Sequence, residues 1–244
     1  MTTACIIGAS AGLGLALARS LAKSGYDLCL VARDARDIDA IANDLRIRYL
    51  VRVQTAAVDI CKVDPSDLVK SSCALSGHID HLLVVAGISQ KNDAPGLPDA
   101  ELASILDVNL VAPIRIINAF IPHLLSRPSA SITGAGSIAS IRARRNNIHY
   151  AAAKTGVEFY FNGLRHALSG SNCRIQFYRL GYLETQMTFG QELMLPAANP
   201  EHTAADIVAN MSIDTVGAYL PRWWRLPAVV LRCLPWAIYR RLNL

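Results

Sequence analysis

Tyr150 and Lys154 stand four residues apart in Tyr-Ala-Ala-Ala-Lys, with Ser137 thirteen residues upstream. On a helix this spacing puts phenol and ammonium on one face. A lysine cation there stabilises a phenolate and lowers a tyrosine pKa from its ordinary value of about 10, so the phenol can give or take a proton near neutral pH. A serine hydroxyl from a strand end would hydrogen-bond the same oxygen of a carbonyl or alcohol. Such an arrangement suits hydride transfer rather than hydrolysis. Alone, the tyrosine–lysine spacing is common by chance, and a half-buried helix tyrosine beside a solvated lysine carries the same pattern.

The start of the chain supplies what a hydride-transfer site needs. Residues 4–7 form a short apolar run, Gly8-Ala-Ser10-Ala-Gly12-Leu13-Gly14 follows, and Leu15-Ala-Leu-Ala-Arg-Ser-Leu continues at helical spacing. Strand, glycine-rich turn and helix therefore occur in the order that holds a pyrophosphate. Glycine lets the backbone turn sharply and approach phosphate, and the helix start offers unpaired N–H groups and a positive dipole end. A merely flexible loop fits less well, because strand and helix lie on the correct sides of it.

These residues must be positioned by a larger frame. At 244 residues with 52% hydrophobic content the chain can bury a large core, and it carries no repeat, low-complexity segment or linker. Hydrophobic patterning predicts strands over 28–32, 52–58, 81–86, 129–133 and 174–179. Helices are predicted over 34–48, 64–76, 98–125 and 150–169, the third of them interrupted or kinked near Pro113 and Pro122. This alternation implies a single-domain α/β fold of Rossmann type, a doubly wound parallel sheet with helices on both faces and ligands at the strands' carboxyl ends. Residues 1–220 would form the dinucleotide-binding catalytic domain, and 221–244 a basic, tryptophan-rich extension of it. The uncharged first 18 residues read as a retained strand and turn rather than a leader, since no Lys or Arg precedes them. Six scattered cysteines without a C-x-x-C pair point to reduced thiols in a cytoplasmic protein and to no metal site.

Taken together, the motifs resemble the short-chain dehydrogenase/reductase family over nearly the whole chain. Gly8, Ser10, Gly12, Leu13 and Gly14 match its cofactor turn, Asp59 in Val-Asp-Ile its adenine contact, and Val85-Ala86-Gly87 the place of its Asn-Asn-Ala-Gly. Asn109, Ser137, Tyr150 and Lys154 match its catalytic tetrad, in which Asn109 would hold a water linking Lys154 to solvent. Gly181 and Thr185 match residues near the nicotinamide, and Tyr150 and Lys154 would also hold the nicotinamide ribose. The chain departs from the family where Val84 and Val85 replace two asparagines and Leu180 replaces a proline.

Cofactor choice turns on Val31-Ala32-Arg33 at the end of the second strand. An acidic residue there would bind ribose hydroxyls and repel a 2′-phosphate, whereas Arg33 can pair with that phosphate. NADP(H) is favoured over NAD(H), although a surface arginine neutralised by Asp34 is the plainer reading.

Two basic regions remain. Arg142, Arg144 and Arg145 lie between Ser137 and Tyr150 and would border the substrate entrance, where arginine binds phosphate, or else form a solvated or subunit-facing loop. From Thr215 onward there is no Asp or Glu, yet there are five arginines and all three tryptophans. Without those arginines the remaining 19 basic residues equal the 19 acidic ones, so the formal charge of +5 resides in the tail. Its apolar runs are too short to cross a bilayer, and Pro227 and Pro235 can each begin a short helix. Arginines with aromatics suit a membrane interface, while packing over the chain's own core or a dimer partner has nearly equal standing. Nucleic acid fits poorly, because the basic groups alternate with bulky apolar residues.

The loop and tail together narrow the resemblance to the decaprenylphosphoryl-2-keto-erythro-pentose reductases. That resemblance implies reduction of a keto-sugar on a polyprenyl-phosphate carrier, a partner oxidase that makes the ketone, and a place on the inner face of the plasma membrane. The alternative is a soluble reductase of small ketones or alcohols whose tail covers its core. Family resemblance also implies a homo-oligomer built on the helix that carries Tyr150.

Overall fold

The computed structural model describes residues 2–90, 93–191 and 193–242. Strands β1 (Thr3–Ile7), β2 (Asp27–Ala32), β3 (Val53–Ala57), β4 (His81–Val84), β5 (Ala130–Ser137), β6 (Cys173–Leu180) and β7 (Thr215–Leu220) form one sheet in the order β3-β2-β1-β4-β5-β6-β7. Every neighbouring pair is parallel. Parallel strands need crossovers, and here they are α1 (Gly12–Lys23), α2 (Ala35–Tyr49), α3 (Pro65–Ser76), α4 with α5 (Asp99–Leu106 and Ala112–Leu125), α6 (Ile148–Ala167) and α7 (Pro200–Ala209). The expected doubly wound α/β sheet is the fold of the chain.

Strands β1 and β2 are buried along their whole length, which is why residues 4–7 and 28–32 read as unbroken apolar runs. Their side chains alternate between two cores. Ala4, Ile6, Leu28 and Leu30 pack with Leu17, Leu21, Leu45 and Ile207 on one face. Cys5, Ile7, Cys29 and Val31 pack with Leu68, Ile116, Phe120 and Phe161 on the other. Because β1 is flanked by β2 on one side and β4 on the other, the crossovers diverge there and open a crevice at its carboxyl end.

Several boundaries differ from the sequence expectation. The fourth strand ends at Val84 rather than 86, and the fifth runs on to Ser137. Between α4 and α5 the helix widens into a π turn over Asp107–Val111 instead of breaking at a proline. Pro113, just after the π turn, and Pro122 are both accommodated inside this continuous helical run. The run from Asp99 to Leu125 is long and apolar enough to cross a membrane by composition, but here it packs as a layer helix against β4, β5 and α6. Helix α7 and strand β7 are additional elements. The β7 strand is a half-exposed edge containing Gly217, which weakens its apolar signal.

After Leu220 the tail forms a tight turn at Arg222–Trp224, then α8 (Arg225–Cys233) and α9 (Trp236–Tyr239). Pro227 lies in the first turn of α8, and Pro235 immediately precedes α9. Trp224 and Ala228 are buried against Ile138, which directly follows Ser137.

Candidate active site

The glycine turn is shaped by absent side chains. Gly8 has φ +95°, and a Cβ on it would lie 2.7 Å from the backbone of Ala86. A Cβ on Gly14 would lie 1.9 Å from the Gly8 carbonyl oxygen, so α1 can approach β1 this closely only without one. Gly12 lies under Thr185, whose methyl would be 3.1 Å from a Cβ there. No side chain caps the first turn of α1, and its amides remain available to an anion. Leu13 is buried in the core and offers the turn only its backbone. A crevice of about 710 Å³ opens here, lined by Ser10, Gly12, Leu15, Arg19, Thr185 and Phe189 among others. This cradle fits a dinucleotide pyrophosphate.

At the adenine end, Arg33 is exposed. Asp34 is engaged elsewhere: it caps α2 through the Arg36 amide and pairs with the Arg36 guanidinium at 3.2 Å. No ion pair joins Asp34 to Arg33 among the described residues. Asp59 accepts a hydrogen bond from the Cys61 amide at 3.0 Å and remains half exposed.

Ser137 ends β5, and Tyr150 and Lys154 lie on the first turns of α6. The Lys154 ammonium is buried, donates to the Ala135 carbonyl at 3.2 Å, and sits 5.8 Å from the centre of the Tyr150 ring. Gly87 separates it from Asn109, since a Cβ on Gly87 would be 3.3 Å from Lys154 Nζ and 3.0 Å from Asn109 Oδ1. Asn109 lies in the π turn. Its amide nitrogen donates to the Ile88 and Ile105 carbonyls, both at 2.9 Å, and its oxygen accepts from the Ile88 amide. This residue pins the chain beyond β4, and the widened turn points it inward, as π turns at functional sites often do.

The electrostatics differ from the simple expectation that Lys154 lowers the tyrosine pKa. Burial raises the Tyr150 phenol above its ordinary value, opposed by a hydrogen bond with Ser137 and by the nearby charge of Arg144. Burial also pushes Lys154 down to about 8. At neutral pH both groups hold their protons, so the phenol is in the form that can donate one.

The three loop arginines divide. Arg142 donates to the carbonyls of Leu231, at 3.0 Å, and Leu234, and its guanidinium lies 3.9 Å from the centre of the Tyr239 ring. In this structure Arg142 clamps the end of α8. Arg144 donates to the Tyr182 hydroxyl at 2.9 Å and has no ion pair among the described residues. Arg145 is exposed, with no hydrogen bond or ion pair among the described residues.

Sequence reasoning missed a second layer. Glu158, one turn beyond Lys154, pairs with Arg179 and accepts from Ser140 at 3.1 Å, while Arg179 also reaches the Gly217 carbonyl. Acid and base on α6 and β6 give no local signal of this link.

The family model described as short chain dehydrogenase matches residues 2–194. This chain belongs to the short-chain dehydrogenase family. It is similar to an uncharacterized oxidoreductase of Mycobacterium tuberculosis, at 29% identity over 97% of this chain and 95% of that protein. It is also similar to the 3-oxoacyl-[acyl-carrier-protein] reductase FabG of Chlamydia muridarum, at 28% identity over 77% and 76% of the two chains. Among solved structures, an alcohol dehydrogenase of Thermococcus sibiricus complexed with 5-hydroxy-NADP superposes with a TM-score of 0.81 at 23% identity, covering 90% of this chain and 95% of that one. As a short-chain dehydrogenase, the protein is an NAD(P)-dependent oxidoreductase. The cradle that Gly8, Gly12 and Gly14 leave open is where a member of this family holds its nicotinamide cofactor.

Proposed function

We propose that this enzyme reduces a ketone to a secondary alcohol with NADP(H), acting on a keto-sugar carried by a polyprenyl phosphate at a membrane surface. The bound cofactor supplies the hydride. Ser137 and Tyr150 hold the carbonyl oxygen, Tyr150 donates the proton, and Lys154 holds the cofactor ribose and keeps positive charge beneath the phenol. Arg33 would take the 2′-phosphate and Arg144 a phosphate on the substrate. The observation that supports ketone reduction most directly is the placement of the half-buried Tyr150 beside Ser137 and 5.8 Å from the Lys154 ammonium, with burial raising the phenol pKa so that it keeps a proton to donate.

The membrane part of the reading rests on the outward side of the tail. Leu226, Val229, Val230, Trp236 and Ile238 are exposed beside Arg222, Arg225, Arg232, Arg240 and Arg241. Apolar side chains among uncompensated cations suit anionic headgroups. The reading includes a partner oxidase that forms the ketone and a homo-oligomer, for which the exposed Phe159 of α6 offers a contact. A soluble reductase of small ketones is the second reading, favoured by the packing of the tail's own Trp224 and Ala228 against Ile138.

A screen of NADPH and NADH oxidation over polyprenyl-phosphoryl keto-sugars and simple ketones separates the two. Activity confined to simple ketones would overturn the lipid-linked substrate. Co-sedimentation with anionic vesicles, comparing the full chain with a Val230→Ser, Trp236→Ser variant, tests the tail, and equal binding by both proteins would remove it as a membrane contact.

A further inference from the structure

Helix α6 carries both Tyr150 and Lys154, yet its own cap residue, Asn147, makes no side-chain bond to the first turn. The amides of that turn are taken by Asp93, which is more than fifty residues away in the chain. The Asp93 carbonyl accepts from the Ile148 amide at 3.0 Å. Its carboxylate accepts from the His149 amide at 3.0 Å through Oδ1 and from the Tyr150 amide at 2.7 Å through Oδ2. The His149 ring also bonds Oδ1, which fixes the rotation of the carboxylate. Asp93 is fully buried, so these charge-assisted bonds form away from water and face the positive end of α6.

The segment that bears Asp93 touches the rest of the site as well. Gly87 lies between Asn109 and Lys154, and Ile88 bonds both ends of the Asn109 amide. One connection after β4 therefore reaches three of the four tetrad positions, and it reaches Tyr150 through that residue's own backbone.

We infer that Asp93 is a positioning residue for the phenol of Tyr150. It touches neither substrate nor cofactor. It fixes where α6 begins and so where the phenol oxygen stands relative to Ser137. The inference rests on the reading of Tyr150 as the proton donor; retained turnover in Tyr150→Phe would remove that reading, whereas the comparison below concerns Asp93 alone.

The test compares Asp93→Asn with Asp64→Ala. Asp64 caps α3 by accepting from the Ser66 and Asp67 amides, so its loss removes the same kind of bond outside the site. Asparagine preserves volume and one acceptor but turns an N–H group toward an amide. In Asp93→Asn, kcat for ketone reduction should fall roughly tenfold to a hundredfold, with the NADPH dissociation constant, read by cofactor fluorescence, held within about twofold. Asp64→Ala, assayed equally far below its own unfolding midpoint, should keep its kcat. Unchanged kcat in Asp93→Asn, an equal loss in Asp64→Ala, or a parallel loss of cofactor binding would overturn the inference. If Asp93→Asn does not fold, His149→Ala removes only the ring bond to the same oxygen; a severalfold fall in kcat supports the inference and an unchanged kcat overturns it.

Discussion

The indole of Trp224 occupies the space that a side chain on Gly181 would need: a Cβ there would lie 1.8 Å from the indole nitrogen. Tyr182 meets the same indole edge to face at 5.2 Å, and Trp223 stacks on it at 4.9 Å. Position 181 thus admits the tail to the rim of the site.

Substituting Gly181→Ala should force the indole out and destabilise the protein by about 2 kcal/mol. Trp224→Ala alone should cost about 3 kcal/mol or more. Since the two changes relieve each other, the double variant should lose clearly less than the sum, as measured by denaturant unfolding. Strict additivity would show that the contact does not exist in solution.

Removing the phenol oxygen should abolish proton donation without disturbing the cradle. Tyr150→Phe is expected to lower kcat by roughly a hundredfold or more while NADPH binding is retained. Stopped-flow turnover with parallel fluorescence titration separates these quantities.

Buried Lys154 gives a pH signature. Its pKa falls from the ordinary 10.5 to about 8, a displacement worth about 3 kcal/mol against the folded, cofactor-free protein at neutral pH. Below about pH 8 folded and unfolded chains both carry this proton, and the full penalty applies. Between about 8 and 10.5 only the unfolded chain holds it, so stability rises with pH across that window. Lys154→Met should raise the unfolding midpoint at pH 7 and abolish the rise, while turnover is lost. In the native enzyme, ketone reduction should decline above about pH 8 as the ammonium beneath the phenol discharges.

Arg33 should discriminate between cofactors. Loss of one charge-assisted contact to phosphate in Arg33→Ala should raise KM for NADPH by about tenfold or more and leave that for NADH nearly unchanged. Equal effects on the two would place the arginine away from the 2′-phosphate.

Legibility in the sequence followed the locality of the forces. Strands β1 and β2 were readable because both faces are buried and residues 4–7 and 28–32 are all apolar. The glycine turn was readable because backbone approach demands a residue type at fixed positions. The widening at Asn109 was not, since a π turn has no compositional mark and Pro113 and Pro122 suggested a break elsewhere. Nor could the role of Arg142 be read, because its acceptors are main-chain carbonyls 89 and 92 residues away. Asp93 escaped for the same reason: a cap delivered from a distant loop leaves no signature beside the helix it serves.

The clamp of Arg142 on the last turn of α8, reinforced by the Tyr239 hydroxyl donating to the Ala143 carbonyl at 2.8 Å, has a mechanical corollary. Residues 142 and 143 belong to the strap joining Ser137 to Tyr150, so the tail is tied by side-chain bonds to the segment between the two hydroxyls proposed to hold the substrate oxygen.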